Sequence, residues 1–338
     1  MTELTELSKG MTIGDYRLGA LESGLSFGTL WTATDLKHDA VWLEFLEPAG
    51  DRMKLMASFL KLVNQQKSTA GRTPHVVPVI SHELLEKHFC VVLQPSKRDP
   101  GWLADWRQEK RVDPARLRGL FETVCHAFEE VATTSGTPLV HGGFSSASVV
   151  RWPQDKDRPW RVMDFGLARV ARSREPNGTP GRVEDYTAPE VFGYFDRMNL
   201  QSEVFALGVF FTELVNHSTL CTYKGAGVPW REVVKQGIKW TVEALKAGGP
   251  EDVPDSVWEI IAQALYLDPH KRPKGPRGFL EGLEPTLKEW EERPRTTPSD
   301  RARSVDLASN GGNPSQRGPD LTKIKSPDEV LPPLKKDT

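Results

Sequence analysis

The chain has 338 residues, enough to bury a large core in one big domain or two lobes. Its 44 Lys and Arg stand against 46 Asp and Glu, a net charge of -2, which gives bulk electrostatics no hold on a nucleic acid or a membrane surface. No apolar run approaches the roughly 18 residues of a membrane span, the acidic MTELTELSKG start has no secretory-signal core, and Cys90, Cys125 and Cys221 lie too far apart for a ligand pattern, so a reduced cytoplasmic setting is expected.

In chain order, residues 1–13 read as a tail. Three strands follow, at Tyr16–Leu21, Thr29–Ala33 and Ala40–Leu46, with alternating apolar residues and turn chemistry between them. Residues 51–67 have helical spacing, with Met53, Leu55, Met56, Phe59, Leu60 and Val63 as the apolar set. His75–Ile80 and His88–Leu93 read as two more strands. Leu117, Leu120, Phe121, Val124, Cys125, Phe128 and Val131 then trace one face of a long helix, and further helices are expected near 202–216, 254–267 and 276–290. From 291 to 338 the composition turns to Pro, Ser, Gly and charge, and the segment reads as disordered. Within it SPDEVLPPLKK has the make-up of a docking peptide, although a plain disordered end is the more common explanation.

Four segments in this order carry a resemblance to the protein kinase family, in its serine/threonine form, over roughly residues 14–290. VMDFGLARV (162–170) resembles the D-F-G segment, YTAPEV (186–191) the A-P-E, SEVFALGVFFTELV (202–215) the buried helix, and LDPHKRP (267–273) the late Arg-containing turn. The resemblance implies an α+β, bilobal protein-kinase-like fold: a small β-rich N-lobe over 14–95 and a larger helical C-lobe over 96–290. It also implies that Arg272 pairs with Glu190. The H-G-G loop resembles bacterial members of the family.

Phosphoryl transfer needs positioning and charge neutralisation rather than covalent chemistry. On the alignment that the resemblance implies, the residues for it are replaced. Glu22 stands at the first glycine of the loop, with one residue extra, while Gly24 and Gly28 remain; an ordinary hairpin accounts for these residues equally well. VWLEFL (41–46) aligns with the lysine strand and puts Glu44 at the lysine and Trp42 at the small residue under the adenine. The indole then fills the adenine's volume, unless the strand slips register, which alternation makes costly. Leu30, Leu93 and Gln94 would line this vestigial cleft. Between Asp51 and His75 there is no Glu to pair with a lysine; Gln65 and Gln66 lie near the expected place.

HGGFSSASVV (141–150) resembles the catalytic loop, with Gly143 for the aspartate, Ser145 for the lysine and Ser148 for the metal-binding asparagine. None of these accepts a proton usefully or supplies positive charge at neutral pH. Asp164 is retained, as a weak metal candidate or as a structural turn residue. His141, Phe165, Glu190, Glu203 and Arg272 are positions that pack or brace in the family. Arg169, Arg172, Arg174 and Arg182 with Ser173 and Thr179 suggest a phosphate-controlled segment or, more commonly, a solvated basic loop.

The reading is therefore of a catalytically inactive pseudokinase, with no catalytic residue of its own, working as a scaffold or allosteric regulator. Its expected partner is a protein, a kinase or a signalling complex, with no nucleic acid. No cofactor is expected, and ATP with Mg²⁺ is disfavoured. The alternatives are a residual or atypical ATP-dependent serine/threonine kinase, another nucleotide-using transferase, and a non-catalytic nucleotide sensor.

Overall fold

In the computed structural model the described residues are 7–24, 28–48, 50–85, 88–96, 106, 112–134, 139–170, 186–191, 198–216, 241–246 and 249–293. Two units divide the chain after Glu292, and of the second, Arg293–Thr338, only Arg293 is among the described residues. The tail expectation, with its SPDEVLPPLKK segment, and Arg172, Ser173, Arg174, Thr179, Arg182 and Cys221 lie outside them.

The first unit opens with four strands, β1 (Thr12–Ile13), β2 (Tyr16–Gly24), β3 (Gly28–Thr34) and β4 (Ala40–Leu46), followed by helix α1 (Arg52–Ala70), β5 (Val79–Leu85) and β6 (His88–Leu93). They form one antiparallel six-stranded sheet, ordered β1-β2-β3-β4-β6-β5. The sheet begins before residue 14: Thr12 and Ile13 pair with Arg17 and Tyr16, and Leu7 and Met11 pack beneath it. The helical part follows with α2 (Pro114–Thr134), the hairpin β7 (Val149–Arg151) and β8 (Trp160–Val162), then α3 (Leu200–Asn216), α4 (Val242–Lys246), α5 (Asp255–Ala264) and α6 (Pro276–Glu292). This is the bilobal α+β architecture, with a β-rich first lobe and a helical second one.

Asp51 starts α1 by accepting the Met53 N–H at 2.9 Å, an N-cap that meets one of the helix's unpaired donors. The buried face of α1 is Phe59, Leu62, Val63, Gln66 and Thr69, while Met53 is 68% exposed. At 100° per residue Met53 lies well off the Phe59 stripe, so its apolar character did not mean burial. His75–Ile80 is not one strand. Pro78, with no N–H to donate, separates β5 from His75–Val77, which bonds to β8 instead: Val77 N–H to the Val162 oxygen at 2.9 Å, and Val162 N–H to the His75 oxygen at 2.8 Å. All seven apolar residues expected on α2 are buried, and α3 is buried from Ser202 to Asn216 as the central helix of its lobe.

Alternation sorts β4 between two cores. Val41, Leu43 and Phe45 join Leu18, Trp31, Ala33, Cys90 and Val92 on the outer face. Trp42 and Leu46 join Leu30, Phe89, Val91 and Leu93 on the inner face, in a cluster that continues through α1 into α2 and α3. Gly28 lies so close to β4 that a Cβ there would collide with the Phe45 carbonyl oxygen. Gly28→Ala is therefore expected to destabilise the ligand-free protein by about 1–3 kcal/mol, measured by chemical denaturation; an unchanged midpoint would contradict this packing role.

Candidate functional site

The candidate site lies on the inner face of β3, β4 and β6 and on the segments of the helical lobe around Gly143 and Asp164. Backbone pairing fixes the first group. Trp42 sits opposite Thr32 on β3 and Leu93 on β6; Glu44 sits opposite Leu30 and Val91. Trp42 and Glu44 are each 1% exposed, Leu30 is 0% and Leu93 2%, whereas Gln94 is exposed and so does not line the interior. The full ladder from Gly28↔Leu46 to Thr34↔Ala40 has no irregularity, so there is no register slip to turn Trp42 outward.

Glu22 has a geometric origin. From Leu21↔Trp31 to Ser23↔Leu30 the first strand advances two residues and its partner one, so Glu22 is the additional residue of a β-bulge. Gly24 closes that pairing opposite Thr29.

On the helical lobe, Ser145 is fully buried and caps the short 3₁₀ turn Ser146–Ser148, its Oγ accepting the Ala147 N–H at 3.3 Å. Ser148 is buried, and its main-chain oxygen accepts the Met163 N–H at 3.0 Å. That bond sets Gly143–Ser148 beside Asp164, which is 3% exposed and held at φ 70°, a left-handed conformation that Asp tolerates better than most side chains. The turn after it is capped by Gly166 without a side-chain bond, and the Asp164 main-chain oxygen accepts the Leu167 N–H at 3.3 Å.

His141 is fully buried among Phe128, Phe144 and Phe165, with ring centroids 4.8–5.5 Å away. Its Nε2–H donates to the Met163 oxygen at 2.8 Å. Burial pushes its pKa down to about 3, against the weaker upward pull of that bond, so the ring is neutral. Below it, Glu203 accepts the Gly142 N–H at 2.9 Å through Oε1, and its Oε2 has no hydrogen-bond partner among the described residues. Burial raises this carboxyl to about 7, opposed by the Gly142 bond and the charge of Arg169.

Farther down, Arg272 and Glu190 form a two-pronged ion pair, Nη1–Oε1 2.7 Å and Nη2–Oε2 2.8 Å. The guanidinium also donates to the main-chain oxygens of Tyr266, Gln201 and Leu267, and Ser202 Oγ donates to Glu190. Burial works against ionisation of Glu190, but Arg272 and Ser202 outweigh it and hold the carboxyl below its ordinary range.

Two further groups matter, one of the two glutamines near the place of the missing glutamate and a pair that the sequence did not single out. Gln66, rather than Gln65, points into the site, its Nε2 donating to the Phe165 oxygen at 2.5 Å. Tyr186 OH donates to Glu213, both buried; a lone carboxylate in the apolar stretch FFTELV was the available signal. Burial first, then Glu213, raises the Tyr186 pKa well above its ordinary value.

Chemically, the inner face offers an indole and a carboxylate, and the loop beneath it offers hydroxyls. No group of three or more His, Cys, Asp or Glu among the described residues could hold a metal ion, and Asp164 supplies one carboxylate. A nucleotide's phosphates call for cations, which the inner-face residues Trp42 and Glu44 do not offer, while Asp164 alone would supply one of the one or two carboxylates that a phosphate-bound Mg²⁺ uses.

A two-lobed fold with this D-F-G, A-P-E and buried-arginine framework defines a protein-kinase-like domain. The chain belongs to the protein kinase domain family: the family model matches residues 62–277. That match begins inside α1 and leaves β4, with Trp42 and Glu44, outside it. Tyrosine-protein kinase Fgr of Mus musculus is 25% identical over 256 residues, 73% of this chain and 44% of its own length. The Rattus norvegicus Fgr is 25% identical over 277 residues, 79% and 48% respectively. The chain thus spans about half the length of these curated relatives. Among solved structures, the PknI kinase domain of M. tuberculosis superposes with a TM-score of 0.58 at 17% identity, covering 83% of this chain and 99% of that one. Rad53 in complex with AMP-PNP superposes at 0.60 and 14% identity, covering 81% and 65%. These likenesses show the fold. No helix among the described residues is long and apolar enough to cross a membrane.

Glu203 and His141 give stability opposite pH dependences. Between about 4.5 and 7 the folded protein keeps the Glu203 proton that the unfolded chain has lost, so stability falls as pH rises. Between 6.5 and about 3 the unfolded chain protonates His141 and the folded one does not, so stability falls as pH drops. Denaturant unfolding at pH 4.5 and 8 isolates the first: the stability of Glu203→Gln relative to the parent is expected to rise with pH, and a pH-independent difference would contradict it.

Proposed function

We propose that this chain is a pseudokinase, a protein kinase domain that regulates or scaffolds a partner through its surfaces and does not transfer phosphate. The observation that carries the reading is the pair on the inner face of β4. Trp42 is packed between Thr32 and Leu93 in the core cluster that also holds Leu30. An adenine ring can enter only by displacing an indole of similar size from close-packed surroundings. Two residues along the same face, Glu44 stands buried where the phosphates call for a cation and supplies none.

The loop supports the same conclusion. The three positions Gly143, Ser145 and Ser148 offer no carboxylate and no cation, and loss of a general base alone costs about 10²–10⁴-fold. These groups act as a unit, so their losses do not multiply, but none is left to compensate for another. The retained His141, Phe165, Glu190, Glu203 and Arg272 serve the fold instead. The partner we propose is a kinase or signalling complex, in the cytoplasm; the H-G-G loop supports a bacterial setting. A residual ATP-dependent serine/threonine kinase is the second reading, favoured by the retained Asp164.

Thermal unfolding with ATP, with and without Mg²⁺ or Mn²⁺, separates the two. A ligand at 100 times its dissociation constant adds about 2.7 kcal/mol; the parent is expected to give a flat trace. Trp42→Ala, itself destabilised by about 3–5 kcal/mol through the cavity left, is expected to gain an adenosine-dependent shift over its own baseline. A metal-dependent ATP shift in the parent, or no gain in the variant, would count against the filled cleft.

A further inference from the structure

Helix α1 meets the D-F-G segment at two successive turns of one face. Leu62 packs against Gly166, which sits at φ 77°; a Cβ added to that glycine would lie 2.7 Å from Leu62 Cδ2. Four residues on, and so on the same face, Gln66 is 3% exposed and bonds the Phe165 oxygen. Phe165 is fixed from the other side, its ring against Phe128 and His141. The next residue's N–H, on Gly166, donates to the His141 oxygen at 2.8 Å. The chain leaving α1 is fastened to β8 through the His75, Val77 and Val162 main-chain bonds. Helix, strand and D-F-G segment therefore close a circuit in which every link joins uncharged groups.

We infer that Gln66 is a positioning residue, a neutral latch that holds α1 on the D-F-G segment whether or not a nucleotide is present. The second half of that statement rests on the pseudokinase reading. An ion pair between α1 and β4 would tie helix position to charge in the cleft; Glu44 on β4 offers no cation for one. A carboxamide-to-carbonyl bond responds neither to phosphate charge nor to salt in that way. The outer face of α1 is thereby presented in one position permanently, which is what a partner-binding domain requires and a nucleotide-gated one does not.

Hydrogen exchange read by mass spectrometry tests the latch on the full chain, with and without ATP and Mg²⁺. Gln66→Met keeps the side chain's length while deleting the donor. Parent peptides from α1 and from 162–167 are expected to exchange alike in both conditions. The variant should exchange about tenfold faster in those peptides, with α2 and α3 unchanged. Equal rates in variant and parent would overturn the latch. Nucleotide-dependent protection in the parent, with the variant still accelerated, would overturn the ligand independence and leave the latch standing. Should the variant fail to fold, the parent's own Gln66 carboxamide protons are expected to exchange slowly with solvent by NMR, and rapid exchange would overturn the proposal.

Discussion

Alternation along β4 is the constraint on which the rest of the site depends. A strand has two faces, and β4 is buried on both, so each side chain is assigned to a core by parity alone. Leu43 and Phe45 go to the outer cluster and Trp42 and Leu46 to the inner one. Moving Trp42 out of the cleft would move its neighbours into the wrong core, at the cost of the whole sheet's packing. The indole is therefore held in place by its neighbours, and Glu44 accompanies it because it is two residues away.

The residues around the pair brace the fold. Arg272, with its side chain fully buried, binds Glu190 with both prongs and three main-chain oxygens besides; removing one partner of such a pair costs about 3–5 kcal/mol because the other charge is stranded. His141 is a neutral peg in an aromatic cage, and Glu203 anchors the turn at Gly142. Each of these is useful without a nucleotide. The serines of the loop have likewise found structural employment, Ser145 as a cap and Ser148 as an acceptor for the segment leading to Asp164.

Much of this was legible in the sequence, for identifiable reasons. The long α2 helix and central α3 declare themselves because their apolar residues recur at helical spacing, and β3, β4 and β6 because theirs alternate or run unbroken. The residues VISHELL of β5 hid because Ser, His and Glu on a partly exposed edge strand weaken the apolar signal, while Pro78 splits His75–Ile80 between two pairings. Met53 is exposed although its apolar side chain belongs to the helical spacing of α1, because it lies off the buried stripe. Glu22 as a bulge, Gln66 as a bond to Phe165 and Tyr186 with Glu213 depend on pairings across many residues of sequence, which no local pattern encodes.

On the proposed reading, the cleft filled by Trp42 leaves no phosphoryl transfer. Incubation of the purified chain with γ-labelled ATP, Mn²⁺ and a mixed basic and tyrosine-containing substrate measures it directly. Labelling of chain and substrate is expected to be no greater than with Asp164→Ala. Labelling that exceeds that variant and grows with time would contradict it.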